Sequence, residues 1–118
     1  MDIEYLKSNG VDIDSSLELL GDIETYNEIL ETFIEESKEK VERLKKNKEL
    51  KNLENYSIDA HSLKSDSKYL GFKKLADISY NHELKSKEGD INYIENNFDE
   101  LINEYNKVME IVNKYMEG

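Results

Sequence analysis

The chain has no proline anywhere in its 118 residues, and its five glycines fall mostly at punctuation points between apolar-periodic segments. Proline and glycine are the residues that break helices, so a backbone nearly free of both favours long helices joined by short turns. The apolar spacing agrees. "DSSLELLGD" reads as a short helix over about residues 15–20, closed at Gly21. In "DIETYNEILETFIEESKEKVERLKK", Tyr26, Ile29, Leu30, Phe33, Ile34, Ser37, Val41 and Leu44 recur at three- and four-residue intervals, one face of a long amphipathic helix.

Asn52 can cap a third helix whose inward stripe is Leu53, Tyr56, Ala60, Leu63, Ser67 and Leu70, and Gly71 suits the left-handed position that ends it. "FKKLADISYNHELKSKEGD" supplies a fourth, with Leu75, Ile78 and His82 on one side and a stop at Gly89. Asp90 can cap the last, whose stripe runs from Ile91 through Ile94, Phe98, Leu101, Tyr105, Val108 and Val112 to Tyr115. Short connections make successive helices antiparallel neighbours. The expected fold is all-α: an antiparallel up-down-up-down four-helix bundle with a short additional N-terminal helix over one end. Residues 1–118 are expected to form a single domain, and a monomer is favoured over a coiled-coil oligomer. Tyr26, Tyr56, Tyr105 and Tyr115 fall on core stripes, while Tyr69 falls outward.

Charge narrows the partners. Sixteen Lys and Arg against 27 Asp and Glu leave a formal charge of −11, which repels phosphate backbones and anionic lipid. Nucleic acid and membrane are therefore poor partners. No apolar run nears the roughly 20 residues of a membrane span, and "MDIEYLKSNG" lacks the basic-then-apolar order of a signal peptide. With no cysteine there is no disulfide or thiolate metal site, and a cytoplasmic location is expected.

Against this acidic background, residues 61–74 hold four lysines and one aspartate. One of the two histidines, His61, opens that segment. On a helical wheel it lies roughly 130° from the centre of the third helix's inward stripe. Ser57, Lys64, Ser65 and Lys68 share its sector, whereas Asp59 and Asp66 point to another face. A neutral, exposed imidazole is a competent nucleophile near neutral pH. Flanking ammonium groups suit it to an arriving phosphoryl oxyanion, and small hydroxyl side chains leave room for a partner surface. A lone exposed histidine on an amphipathic helix is more often simply solvated, so composition alone does not single it out.

The stretch "AHSLKSDSKYLG" resembles the central motif of histidine-containing phosphotransfer (HPt) domains, with Ala60, His61, Leu63, Lys64 and Gly71 at matching places. Upstream, "SLELLGDIETYNEILETFIEES" is similar to that family's opening segment. Downstream, the spacing from Leu75 through Glu83 to Gly89 and Asp90 is kept. The likeness runs from about residue 8 to 116. It implies that His61 takes a phosphoryl group on its outer ring nitrogen from the aspartyl phosphate of a response-regulator receiver domain and hands it to another receiver aspartate. Lys64 would neutralise or align the group, and Ser57, Ser65 and Lys68 would contribute to docking. Ser65 stands where most members have glycine, and His82 where an aliphatic residue is usual. His82 is expected to be hydrogen-bonded and partly buried rather than a second acceptor.

The chain has no phosphate-cradling glycine-rich loop and no kinase-like Mg²⁺ ligand set, so no cofactor of its own is expected. Any Mg²⁺ would be held by the partner, a response-regulator receiver domain or the receiver of a hybrid sensor kinase. The rival reading is an acidic helical interaction module that is never phosphorylated. A bundle-core di-iron carboxylate site is disfavoured by spacing, because the positions three before His61 and His82 hold Ile58 and Ser79 instead of glutamate.

Overall fold

A computed structural model describes all 118 residues, and every regular element in it is helical. The helices are α1 (Ile3–Ser8), α2 (Ile13–Leu20), α3 (Ile23–Glu49), α4 (Leu53–Leu70), α5 (Lys73–Lys87) and α6 (Ile91–Glu117). Two short helices precede the four long ones where the sequence suggests one. Six-residue α1 buries only Leu6, too little to create a readable period. None of the helices is long and apolar enough to cross a membrane.

Asp and Asn residues start most of these helices because the first amides of a helix have no partner within it. The side chains of Asp12, Asp22, Asn52 and Asp90 accept from the amides of Ser15, Thr25, Asn55 and Tyr93, at 3.3, 2.8, 3.2 and 3.0 Å. Helix α3 runs further than its apolar stripe because Lys45, Lys46 and Lys48 are good helix formers. It ends where Lys51 turns left-handed (φ 56°) and the Asn52 amide bonds back to the Asn47 carbonyl at 2.8 Å.

The core is one cluster of 23 buried residues drawn from all six helices. Helix α4 packs against α2, α3 and α5; α6 packs against α1, α3 and α5. The most extensive contact is between α4 and α5. Both carry small buried residues, Ser57, Ala60 and Ser67 on one and Ala76, Ser79 and Ser86 on the other, which let backbones come close. The 40 Å long axis is the length of a 27-residue helix at about 1.5 Å per residue.

Polar threads fix how the helices register. Between α3 and α4, Tyr26 Oη donates to the Leu70 carbonyl (2.7 Å), Lys40 pairs with Asp66 (2.7 Å) and Arg43 grips both oxygens of Asp59. Asp59 and Asp66 thus face α3, away from His61, as their wheel positions imply. Between α3 and α6, Ser37 meets Tyr105 at 2.8 Å and Tyr115 donates to Asn27 at 2.7 Å. His82 is fully buried, deeper than expected. Its Nδ1 accepts from Tyr56 Oη at 2.8 Å and its Nε2 reaches the Asn97 carbonyl at 3.2 Å, joining α4, α5 and α6.

Gly71 carries the tightest backbone constraint. It is left-handed (φ +85°), and a Cβ there would stand 2.6 Å from the carbonyl oxygen of Asp12, whose own amide bonds to Gly71 O at 3.0 Å. Gly21 is also left-handed (φ +96°) but has open space around it. Gly71→Ala should therefore cost about 2–4 kcal/mol in urea unfolding, clearly more than the roughly 1 kcal/mol expected for Gly21→Ala.

Candidate functional site

His61 sits mid-helix on α4, its side chain 57% exposed. The ring is nevertheless held. Nδ1 lies 2.8 Å from Oε2 of Glu83, a residue of α5, and Nε2 has no bond within the chain and faces solvent. Glu83 is the opposite of exposed: its side chain is only 4% accessible. A buried carboxylate needs cations, and three groups converge on this one. Besides His61, Lys87 Nζ donates to Oε2 at 2.9 Å from one turn along α5. Lys64 Nζ stands 2.9 Å from Oε1, a charge contact without hydrogen-bond alignment, which leaves Oε1 without a hydrogen-bond donor.

Burial on its own would push the Glu83 carboxyl up, but Lys87, Lys64 and His61 outweigh it and hold it down at about 2. It is therefore an anion at any physiological pH, and as an acceptor it holds the proton of a neutral His61 on Nδ1. The free lone pair is then on Nε2, the exposed nitrogen.

The other expected site residues separate. Lys64 is one turn from His61 and lies over the Tyr80 ring at 5.2 Å. Ser65 is half-buried and Lys68 exposed, as their sector implies. Ser57 is a correction. It is 8% exposed, and its hydroxyl donates to the Glu54 carbonyl at 2.7 Å, so it offers nothing to a docking partner. The wheel misplaces it because α2, α3 and α5 together cover a wider arc of α4 than its apolar stripe marks.

Two further features were not read from the sequence. Ile58, Tyr80 and Leu84 are large apolar residues left exposed on α4 and α5. Ile58 is one turn before His61 and Leu84 adjoins Glu83. Beside them a groove between α2, α4 and α5 is lined by Leu19, Lys64, Lys68, Lys73, Asp77 and Tyr80; Lys64 belongs to both places, and His61 lies outside the groove. The burial of Glu83 against His61 is the second omission. Its signal was a stripe of Ala76, Ser79, Glu83 and Ser86 at helical spacing, in which small residues flank one acid.

A nucleophilic imidazole with a fixed tautomer, an adjacent ammonium group and an apolar rim is suited to receiving an anionic group from a macromolecule. The Hpt domain family model matches residues 28–110. The chain belongs to that family, whose members carry out histidine phosphotransfer in phosphorelay signalling and work with receiver domains. The matched span covers α4 and α5 whole with most of α3 and α6, and excludes α1 and α2. No curated protein and no solved structure gives a match.

Acid should unfold this protein in two stages with separate causes. Burial lowers His82 from the ordinary 6.5 to about 4, so the unfolded chain binds its proton first and stability falls as pH drops from about 6.5 toward 4. Glu83 contributes stability that is present above the ordinary 4.5 and is lost as pH falls toward 2. His82→Leu should flatten the upper stage, and Glu83→Gln should weaken the lower, to which Asp12 and Asp22 also contribute, in melting temperatures followed by circular dichroism across pH. A wild-type curve flat between pH 6.5 and 5 contradicts the assignment of His82.

Proposed function

We propose that this protein is a cytoplasmic phosphorelay carrier in which His61 accepts a phosphoryl group at Nε2 from a receiver-domain aspartyl phosphate and passes it to another receiver aspartate. The observation that carries this reading is the division of labour on one ring: Nδ1 is bound to a buried carboxylate while Nε2 stands unpaired in solvent. In-line transfer needs a positioned nucleophile and neutralised charge more than covalent machinery, and a rigid helix supplies the positioning. Lys64 Nζ, held between Glu83 and the Tyr80 ring, is the cation nearest in sequence to meet the phosphoryl oxygens. The receiver would bring Mg²⁺ and its acidic pocket; this chain brings the nucleophile and the lysines.

The docking surface is the exposed side of α4 and α5 around His61. Ser65 and Lys68 remain in it, joined by Ile58, Tyr80 and Leu84, whose apolar area gains by leaving water. Both a free-standing receiver and the receiver of a hybrid sensor kinase present the aspartyl phosphate that this reading requires. The supporting frame is an antiparallel up-down-up-down four-helix bundle, preceded by the two short helices, acting as a single monomeric domain. Cross-helix pairs support the antiparallel order, since contact positions fall along α3 from Arg43 to Tyr26 while they rise along α4 from Asp59 to Leu70. The one continuous core supports the single domain.

A panel of radiolabelled phospho-receiver domains provides the test. At least one should transfer label to the wild type and none to His61→Gln, whose fold is checked by circular dichroism because the change alters a donor to buried Glu83. Equal labelling of both proteins overturns the assignment. Lys64→Ala should still accept label, with the transfer rate lowered on the order of tenfold, the effect of removing one charge-assisted contact in stopped-time assays.

A further inference from the structure

We propose that Tyr80 is a positioning residue for phosphoryl transfer, its ring face holding the Lys64 ammonium beside His61, where an incoming phosphoryl group arrives. This rests on the reading of His61 as the acceptor and adds to it a residue that does not touch the phosphoryl group itself.

A lysine ammonium ends a flexible four-carbon stem, and on a helix surface it ordinarily spreads through solvent. Lys64 does not. Its side chain is only 23% exposed, its Nζ stands 5.2 Å from the centre of the Tyr80 ring, and Glu83 Oε1 is 2.9 Å away. Tyr80 and Glu83 are three residues apart on α5, so one turn of that helix presents an aromatic face and a carboxylate to a cation from α4. The two holds differ in kind. The carboxylate draws Nζ inward between the helices, but that contact lacks hydrogen-bond alignment and leaves Oε1 without a donor. The ring attracts the charge through its π-electrons without fixing the direction of any N–H. An ammonium kept in this way stays in place, yet its N–H groups remain free to turn toward another anion. Lys68, one turn further along α4, is exposed and meets no ring.

In the transfer, the Nε2 lone pair forms the N–P bond and the donor's P–O bond breaks, its electron pair leaving on the aspartate carboxylate. The peripheral phosphoryl oxygens stay anionic throughout. An ammonium already standing where they arrive avoids ordering a lysine stem during the step. Tyr80 acting through Lys64 therefore changes the rate of the step. Its apolar area acts instead on how tightly a receiver binds, and the two contributions separate when the phosphodonor is too small to dock.

Phosphoramidate is such a donor. Its P–N bond breaks with the electron pair leaving on ammonia, and it brings no protein surface. Formation of phosphohistidine is followed by phosphorus NMR at one pH in wild type, Tyr80→Phe, Tyr80→Leu, Lys64→Ala and the double variant Tyr80→Leu with Lys64→Ala. Tyr80 is half exposed, so its replacements should fold as the wild type does, which circular dichroism checks. Tyr80→Leu should slow phosphorylation roughly two- to fivefold, the size of one exposed cation–π contact, and Tyr80→Phe should recover most of the rate because the ring face remains. Once Lys64 is alanine, Tyr80→Leu should have no further effect. Equal rates for Tyr80→Leu and wild type, a Tyr80→Phe variant as slow as Tyr80→Leu, or the same slowing with Lys64 absent each overturn the proposal while leaving His61 as acceptor. Failure of the acceptor reading is seen separately, as phosphohistidine that still forms in His61→Gln.

Discussion

A carboxylate placed between two helices is stable only if cations come to it, and much of the surface around His61 is organised by that requirement. Glu83 is nearly inaccessible, and water cannot solvate it. The chain answers with Lys87 from its own helix and Lys64 from the facing one, and it turns the His61 ring so that one nitrogen points inward. The small residues that let α4 and α5 approach closely make this possible, since bulkier ones would hold the acid away from α4. The orientation of the His61 ring is thus a by-product of satisfying a buried charge. An apolar residue at 83 would leave α4 and α5 able to pack and His61 free to rotate.

The rest of the interior follows a similar rule with hydroxyls. Tyr26, Tyr56, Tyr105 and Tyr115 bury their rings in the core, and each hydroxyl finds a partner on another helix. Burial raises the pKa of all four, so they stay neutral at physiological pH. Each such bond contributes about 1 kcal/mol net, but its loss would strand a polar atom at greater cost. These directional bonds specify how the helices slide and rotate, which apolar contact alone leaves loose. His82 belongs to the same scheme, accepting from Tyr56 and reaching Asn97 across two interfaces.

The four long helices were legible because each has an apolar stripe over three or more turns and a side-chain cap or glycine at a boundary. Helix α1 was not, because one buried leucine makes no period. His61, Lys64, Ser65 and Lys68 were placed correctly on the outer side of α4 by the wheel, and Ser57 was not, since a wheel built on one helix cannot count the neighbours that close over its flanks. The contact of Glu83 with His61 was invisible for the same reason. An acid beside an apolar stripe reads as solvated until the packing of a second helix shows what lies over it. Pairwise chemistry between helices is a property of tertiary registration, and local spacing does not encode it. The motif resemblance pointed to His61 but was silent on what holds its ring.

The open setting of His61 has one more consequence. The imidazole stands more than half exposed on α4 and outside the neighbouring groove, so it is not enclosed in a chamber. A carrier of this shape, on the reading given above, is half of an active site and leaves the other half to its visitor. Selectivity then lies in the match between two surfaces, and a single exposed nitrogen can serve a donor and an acceptor in turn without any rearrangement of the fold.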